Sequence, residues 1–341
     1  MAFLLFLFVA NLILGRKTAW IYALLFGLSF PFWSRTFGVN FTDSSNEKAA
    51  FSVLSYNVMT FDVLNYLDNK NPQNALDMMK WAVENESDIK CFQEFYSHFR
   101  PNFGTLTQFK EAGYPYKTVS HPKIARNEES FIGLAIISKF PIVGRGEKEF
   151  EDMNGMIYAD IKIKQDTIRV INVHLRSLIV RFGGIKKAYK NEDFKSGKAE
   201  TRKVLSRLKY GFEHHAEEVE AVLEWVKESP YPVMVCGDFN ETPYSYAYGK
   251  IRQKFNNAFE EKGKGFSFTY KDSPKIIRID NQFYDKQALE IVSFKTRSDV
   301  KYSDHFPIVG RYKVKRNNFT YTSTTHYSKI PQMKNSWQLH F

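Results

Sequence analysis

Residues 233–240 read VMVCGDFN, and the way this stretch ends decides the fold class. Val233 to Cys236 form an unbroken apolar run, the pattern of a strand covered on both faces. Gly237 then permits close approach of a neighbouring backbone. Asp238 and Asn240 follow where the chain must turn, so polar side chains stand at the end of a buried strand. The same grammar recurs along the chain. VLSYN (53–57) ends on Asn57, KCFQE (90–94) on Glu94 and RVINVH (169–174) on His174, while KYSDHFP (301–307) presents Asp304 and His305 just before a last apolar stretch. Loops at strand ends are where α/β scaffolds place reactive groups. Taken singly, each has a plain structural explanation, because Asp-Phe-Asn is also a common turn and a lone strand-end histidine is usually a satisfied core residue.

Between these stretches, strand-like and helix-like patterns alternate from Phe51 onward. Strands are expected at Val53–Val58, Ile89–Phe95, Gly133–Ser138, Ile157–Ile163, Thr167–Leu175, Val233–Asp238, Ile276–Phe283, Glu290–Thr296 and Pro307–Val314. Helices are expected at Pro72–Asn85 and at Glu200–Glu228, where Val204, Leu208, Phe212, Val219, Val222, Leu223 and Val226 keep roughly helical spacing. No internal repeat is visible. The mixture indicates an α/β (α+β) enzyme domain over residues 51–314.

VLSYNV, FQE, NVHL, GDFN and SDHFPI, in that order, together resemble the endonuclease/exonuclease/phosphatase superfamily, and GLAIISKFPI (133–142) is similar to one of its non-catalytic strands. That group includes deoxyribonucleases, neutral sphingomyelinases, inositol polyphosphate 5-phosphatases and abasic-site endonucleases. The resemblance implies a four-layered α/β sandwich, two packed mixed β-sheets flanked by helices, and hydrolysis of phosphoester bonds with Mg²⁺, for which Mn²⁺ can substitute.

Such hydrolysis needs an activated water, neutralised phosphoryl charge and a leaving oxygen able to depart. By resemblance, Glu94 is a hard carboxylate ligand for the metal. Asn57 adds a neutral oxygen or an outer contact, and Asp304 lies near the metal or holds the site together. His305 is the general base, as an imidazole titrating near neutrality can be. Asp280, in RIDNQF, is the carboxylate that fixes its tautomer. Asp238 positions the water or the phosphoryl group, and Asn240 donates to a phosphate oxygen. His174 faces the phosphate from the other side, stabilising charge or protonating the leaving group. The family commonly has a large apolar residue where Gln282 stands, and a polar side chain there leaves the register of that strand open. His214 and His215 are expected to be exposed on the long helix, and His98 and His121 sit in no motif. The abasic-site branch usually carries tyrosine where this chain has His174, so a DNA-repair role is disfavoured.

Charge and hydropathy bear on partners. The chain carries +11 overall, and Arg181–Lys209 holds ten Lys/Arg against Glu192, Asp193 and Glu200. Such a segment suits an anionic lipid surface or a nucleic acid, or is simply a solvated loop. Cys91 and Cys236 lie in apolar runs and read as small buried hydrophobes rather than a disulfide or a zinc site. Ala2–Leu14 and Thr18–Trp33 are apolar, separated by Gly15, Arg16 and Lys17. Each falls short of the roughly 18–20 residues of a spanning helix, yet Trp20, Tyr22, Phe32 and Trp33 sit as interfacial aromatics do. Residues 1–35 are therefore expected to be a membrane-anchor segment of hydrophobic helices, 36–50 a linker and 315–341 a polar tail. Arg16 and Lys17 outnumber Arg35, which puts the catalytic domain on the extracytoplasmic side. The expected substrate is a phosphoester at or near a membrane, with nucleic acid cleaved by a tethered nuclease as the alternative. A non-catalytic module keeping the fold would have lost a metal or base residue, and none is lost. No protein partner is expected.

Overall fold

The computed structural model describes residues 2–40, 48–98, 103–120, 130–151, 153–177, 194–271 and 277–315. In chain order the strands are β1 (Gly38–Val39), β2 (Phe51–Asn57), β3 (Ile89–His98), β4 (Tyr116–Val119), β5 (Ser130–Ser138), β6 (Ile142–Glu149), β7 (Gly155–Ile163), β8 (Asp166–His174), β9 (Val233–Asp238), β10 (Asn256–Asn257), β11 (Lys264–Gly265), β12 (Asp280–Tyr284), β13 (Leu289–Thr296) and β14 (Ile308–Val314). Twelve of them build two six-stranded mixed sheets, ordered β13-β14-β2-β3-β5-β4 and β10-β12-β9-β8-β7-β6, and β1 pairs with β11 in a separate two-stranded sheet. The second sheet comes from one uninterrupted stretch, Ile142 to Tyr284. The first closes around it, with β14 returning to pair antiparallel with β2, Ile308 against Ser55. Within each sheet one central pair is parallel, β2 with β3 and β8 with β9.

The four layers follow from which faces are apolar. Val53, Ile89, Cys91 and Ile136 of the first sheet pack on Ile157, Ile161, Val170, Met234 and Cys236 of the second, all fully buried. Each such side chain contributes about 1.5–3 kcal/mol by leaving water. Outside the first sheet, Leu54, Tyr56 and Phe92 meet Met78, Met79 and Ala82 of the Pro72–Glu84 helix. Outside the second, Ile171, Val173 and Val235 meet Val219, Val222 and Leu223 of the Phe194–Glu228 helix. Central strands covered on both faces explain why VMVC and VLSY read as continuous rather than alternating runs. Cys91 and Cys236 are buried and free.

Three polar side chains tie the sheets together. Gln93 donates from Nε2 to Asn172 Oδ1 at 2.6 Å, and Asn172 donates across the gap to the carbonyls of Phe92 at 2.8 Å and Ala135 at 3.1 Å. Gln282 lies opposite Cys236 in the ladder, and donates to Val53 O at 3.0 Å while its Oε1 accepts from Tyr312 Oη at 2.7 Å. The polar residue in that strand is therefore a bridge from β12 to β2 and β14, and the register it left open is fixed.

Several boundaries differ from expectation. β6 was not expected, because its sequence IVGRGEKE is mostly polar and glycine-bearing and it forms a sheet edge. The strand expected from Ile276 pairs only from Asp280; residues 277–279 run outside the ladder, and Ile276 lies outside the described residues. The long helix begins at Phe194, earlier than the expected Glu200. Part of the expected linker is structured, since Gly38 and Val39 pair with Gly265 and Lys264. The expected His121, most of the 36–50 linker's remainder (41–47), the start of the basic segment (181–193) and the tail from 316 lie outside the described residues.

The two N-terminal apolar runs form helices at Ala2–Ile13 and Ala19–Leu28. At 1.5 Å per residue these are about 18 and 15 Å long against a hydrocarbon core of about 30 Å. Among the described residues no helix is long and apolar enough to cross a membrane, which corrects the expectation of a transmembrane helix. Phe3, Phe6, Ile13, Trp20, Leu24 and Leu28 are exposed. The following segment is docked on the domain. Ser34 Oγ donates to Glu260 at 3.1 Å, Arg35 Nη1 to the Pro243 carbonyl at 3.3 Å, and Arg278 Nη2 to the Arg35 carbonyl at 2.9 Å.

Candidate active site

The site lies where the carboxyl ends of β2, β8 and β9, the register break within β3 and the start of β12 meet. In the second sheet, His174 is the ladder partner of Asp238, and Asp238 that of Asp280, so three functional side chains stand in one row across three strands. Gly237 makes this row possible. It has φ +142°, and a Cβ there would collide with the Val173 carbonyl. In the first sheet Asn57 ends β2, beside Gln93. Glu94 follows at a break in the β3–β5 register with φ 50°, a left-handed backbone that turns its side chain out of the ladder. His305 precedes β14 on a loop pinned to β2. Ser303 Oγ donates to Asn57 O at 2.8 Å, Ser303 N donates to Tyr56 Oη at 3.2 Å, and His305 N donates to Ser303 Oγ at 3.2 Å.

These elements join side chains far apart in sequence. Asn57 Nδ2 donates to both Glu94 Oε1 and Asp238 Oδ2, each at 3.1 Å. His174 Nε2 is 3.8 Å from both Glu94 Oε1 and Asp238 Oδ2. His305 Nδ1 is 2.9 Å from Asp280 Oδ2, and its Nε2 is 3.6 Å from Asp238 Oδ2. Asn240 N donates to Asp238 Oδ1 at 2.9 Å, while its Nδ2 donates to the Leu175 carbonyl at 2.8 Å. Asp238, Asp280 and His305 are buried, whereas the Glu94 side chain is 37% exposed, so the constellation opens to solvent on the Glu94 side.

Burial alone would lower the His305 pKa, but the Asp280 and Asp238 charges and the Asp280 hydrogen bond raise it to about 10. Burial pushes Asp280 up and the Asp238 charge adds to this, while the His305 cation pulls it back. The two facing carboxylates thus favour the protonated form of the His305 ring.

The donor set suits a hard divalent ion. Among the described residues, Asp238, Asp280 and His305 form a group whose ligand atoms lie within 4.8 Å of one another. His305 Nδ1 takes only Asp280 Oδ2, Asp280 Oδ1 is buried without a hydrogen-bond partner, and Asp238 and Glu94 share the Asn57 amide as donor. Oxygen ligands of this kind select Mg²⁺ or Mn²⁺ over softer metals. Asn57 Nδ2 faces the carboxylates, and its Oδ1 accepts from Met59 N at 3.0 Å. Asp304 accepts from Ser303 Oγ at 3.1 Å and stands outside the tight group, so it holds the loop.

Seven of the eight expected residues thus form one connected cluster, and Asp304 borders it. The structure adds Thr269, whose Oγ1 accepts from Asp280 N at 3.1 Å and sets the start of β12, and Tyr270, whose ring lies 5.1 Å from that of His305. Neither has a signal in the sequence, because both belong to an irregular segment that touches the site only through folding. The expectation that His215 is exposed is corrected. It is buried, on the inner face of its helix.

Two packed mixed sheets with carboxylates and histidines along one shared edge define a class of phosphoester hydrolases. The chain belongs to the Endonuclease/Exonuclease/phosphatase family, whose model matches residues 54–305. Members of this family act on phosphoester bonds. Among solved structures the chain resembles the human Nocturnin catalytic domain with bound sulfate anion, with 16% identity over 78% of this chain and 94% of that one and a TM-score of 0.53. It also resembles an endonuclease/exonuclease/phosphatase from Bacteroides vulgatus (15% identity, 78% and 99% covered, TM-score 0.55). A third is TDP2 from D. rerio complexed with single strand DNA product (14% identity, 77% and 99% covered, TM-score 0.51). At these identities the likeness shows the fold. No curated protein matches.

Proposed function

We propose that the chain is a divalent-cation-dependent phosphodiesterase or phosphatase, held at a membrane by its apolar N-terminal segment with the catalytic domain on the extracytoplasmic side. The observation that carries the catalytic part is the convergence of Glu94, Asn57, Asp238, His174 and the His305–Asp280 pair from both sheets on one open edge. A bound Mg²⁺ would neutralise phosphoryl charge there, held by Glu94 and Asp238 and oriented through Asn57. Offsetting the carboxylates near His305 also frees its Nε2 to accept a proton from water, the general-base role. Asp280 keeps the Nδ1 side of the ring occupied, so that Nε2 is the nitrogen facing the site. Asn240, with one amide hydrogen on Leu175 O, has the other to donate to a phosphate oxygen. His174 is set between Glu94 and Asp238, where it can stabilise charge or protonate a leaving oxygen.

Membrane attachment is supported by the exposed apolar side chains on the Ala2–Ile13 and Ala19–Leu28 helices, an apolar surface that water does not favour. Their lengths suit immersion in one leaflet more than a crossing. A second reading, a tethered nuclease, is favoured by the ten basic residues of Arg181–Lys209 and by the fold likeness to a protein solved with a DNA product.

The test uses the full chain with Mg²⁺ or EDTA against bis(p-nitrophenyl) phosphate, phospholipid vesicles and plasmid DNA. Mg²⁺-dependent release of p-nitrophenol is the expected result, and its absence overturns the hydrolase reading. Flotation with vesicles supports attachment, and its failure removes it. Plasmid cleavage that weakens steeply with salt moves the assignment to the nuclease.

A further inference from the structure

Beneath the active site, the Phe194–Glu228 helix presents His215 and Glu218, one turn apart, to the loops that carry His174 and Asn240. His215 is 1% exposed. Its Nδ1 is 2.5 Å from Glu241 Oε1, and its Nε2 meets the backbone carbonyl of Arg176. Glu218 Oε2 accepts from the backbone N–H of that same Arg176 at 3.1 Å. Both polar groups of one residue's backbone are therefore held by the helix, two positions after His174. Glu241 follows Asn240 directly, and Asn240 in turn donates to Leu175 O.

Each His215 nitrogen faces an acceptor that has no hydrogen to give, a carboxylate on one side and a carbonyl on the other. A neutral imidazole can satisfy only one of them, and a buried unpaired nitrogen against a carbonyl is costly. We propose that His215 is a permanently protonated positioning residue, an imidazolium clamp that locks the His174 loop to the Asn240 loop. The charges facing it are Glu218 from its own helix and Glu241 from the loop after β9, while the loop after β8 offers the Arg176 backbone carbonyl and turns the Arg176 guanidinium to Glu151. Burial opposes the charge, yet the Glu241 contact outweighs it and the pKa is raised. Because Asn240 and His174 both face the phosphate, slack in this clamp costs transition-state stabilisation more than substrate binding. This inference rests on the hydrolase reading above.

The test combines kinetics on bis(p-nitrophenyl) phosphate with Mg²⁺ and ¹⁵N shifts of the His215 ring in the full chain. His215→Gln, which keeps a single donor direction, is expected to lower kcat at least tenfold with KM within about twofold, since a misplaced catalytic group costs on the order of 10²-fold. His215→Arg, a cation that donates in two directions, should restore most of the loss. Glu241→Gln keeps an acceptor but removes the charge that favours the cation. Its kcat should fall more at pH 8.5 than at pH 6.5, which a merely structural change would not produce. The ring shifts should show both nitrogens protonated at pH 8. An unprotonated nitrogen there, or unchanged kcat in both His215→Gln and Glu241→Gln, overturns the clamp. If the wild type does not hydrolyse the diester, the hydrolase reading fails instead, and the nitrogen shifts still decide the protonation of His215.

Discussion

Among the described residues, two buried imidazoles hold a carboxylate through Nδ1, and their surroundings differ. His305 and His215 both have Nδ1 on a buried acid, Asp280 in one case and Glu241 in the other. The difference is the second nitrogen. His305 Nε2 stands 3.6 Å from Asp238, at the floor of an opening lined by Glu94 and His174, whereas His215 Nε2 is taken by a backbone carbonyl. A histidine–carboxylate pair is thus no mark of catalysis by itself. What distinguishes His305 is a nitrogen left facing the opening beside Glu94 and His174.

The largest effect should come from removing the reactive side of that contrast. His305→Ala or Glu94→Ala is expected to lower diester hydrolysis by about 10³-fold or more, with circular dichroism unchanged. Substantial activity in both variants would end the assignment. Next, Asp280→Asn should cost roughly 10²–10⁴-fold in kcat, because the ring loses the group that sets its tautomer. A loss no larger than that of Glu241→Gln would erase the distinction between the two pairs. The polar ties between sheets offer a control away from both. Asn172→Ala strips partners from Gln93, Phe92 O and Ala135 O, and is expected to destabilise by about 2–3 kcal/mol in urea unfolding. The smallest effect is on pH dependence in EDTA. The His305 pKa is raised from 6.5 to about 10, so its stabilisation is full below pH 6.5 and is lost as pH rises through 10. Unfolding midpoints should decline across that window, and the decline should flatten in His305→Gln.

Asn57, Glu94, His174 and Asp238 were legible because each follows an apolar run, and Asp304 and His305 because they precede one; the chain order of these five motifs resembles a family. Strand β9 matched its expected limits, Val233–Asp238, since both its faces are covered and its pattern is unbroken. Edge strand β6 was hidden by its exposed charged alternation. His215 was hidden for another reason. Helical spacing says which residues share a face, but nothing in the sequence states that the loops after β8 and β9 pass beneath that face. Gln282 showed the limit of reading polarity as exposure, because its amide is spent between two sheets. The anchoring expectation came from two apolar runs and the aromatics near their ends, and among the described residues no helix is long and apolar enough to cross a bilayer.

The return of β14 to β2 also sets a time order on activity. Asn57 and Glu94 are synthesised early, yet the loop bearing His305 is pinned to Asn57 only once β14 has paired beside it. The whole second sheet, with His174, Asp238 and Asp280, must be made in between. A ribosome-bound chain therefore carries most of the clustered side chains long before the cluster can assemble. The cluster stays incomplete until β14 has emerged and closed the first sheet.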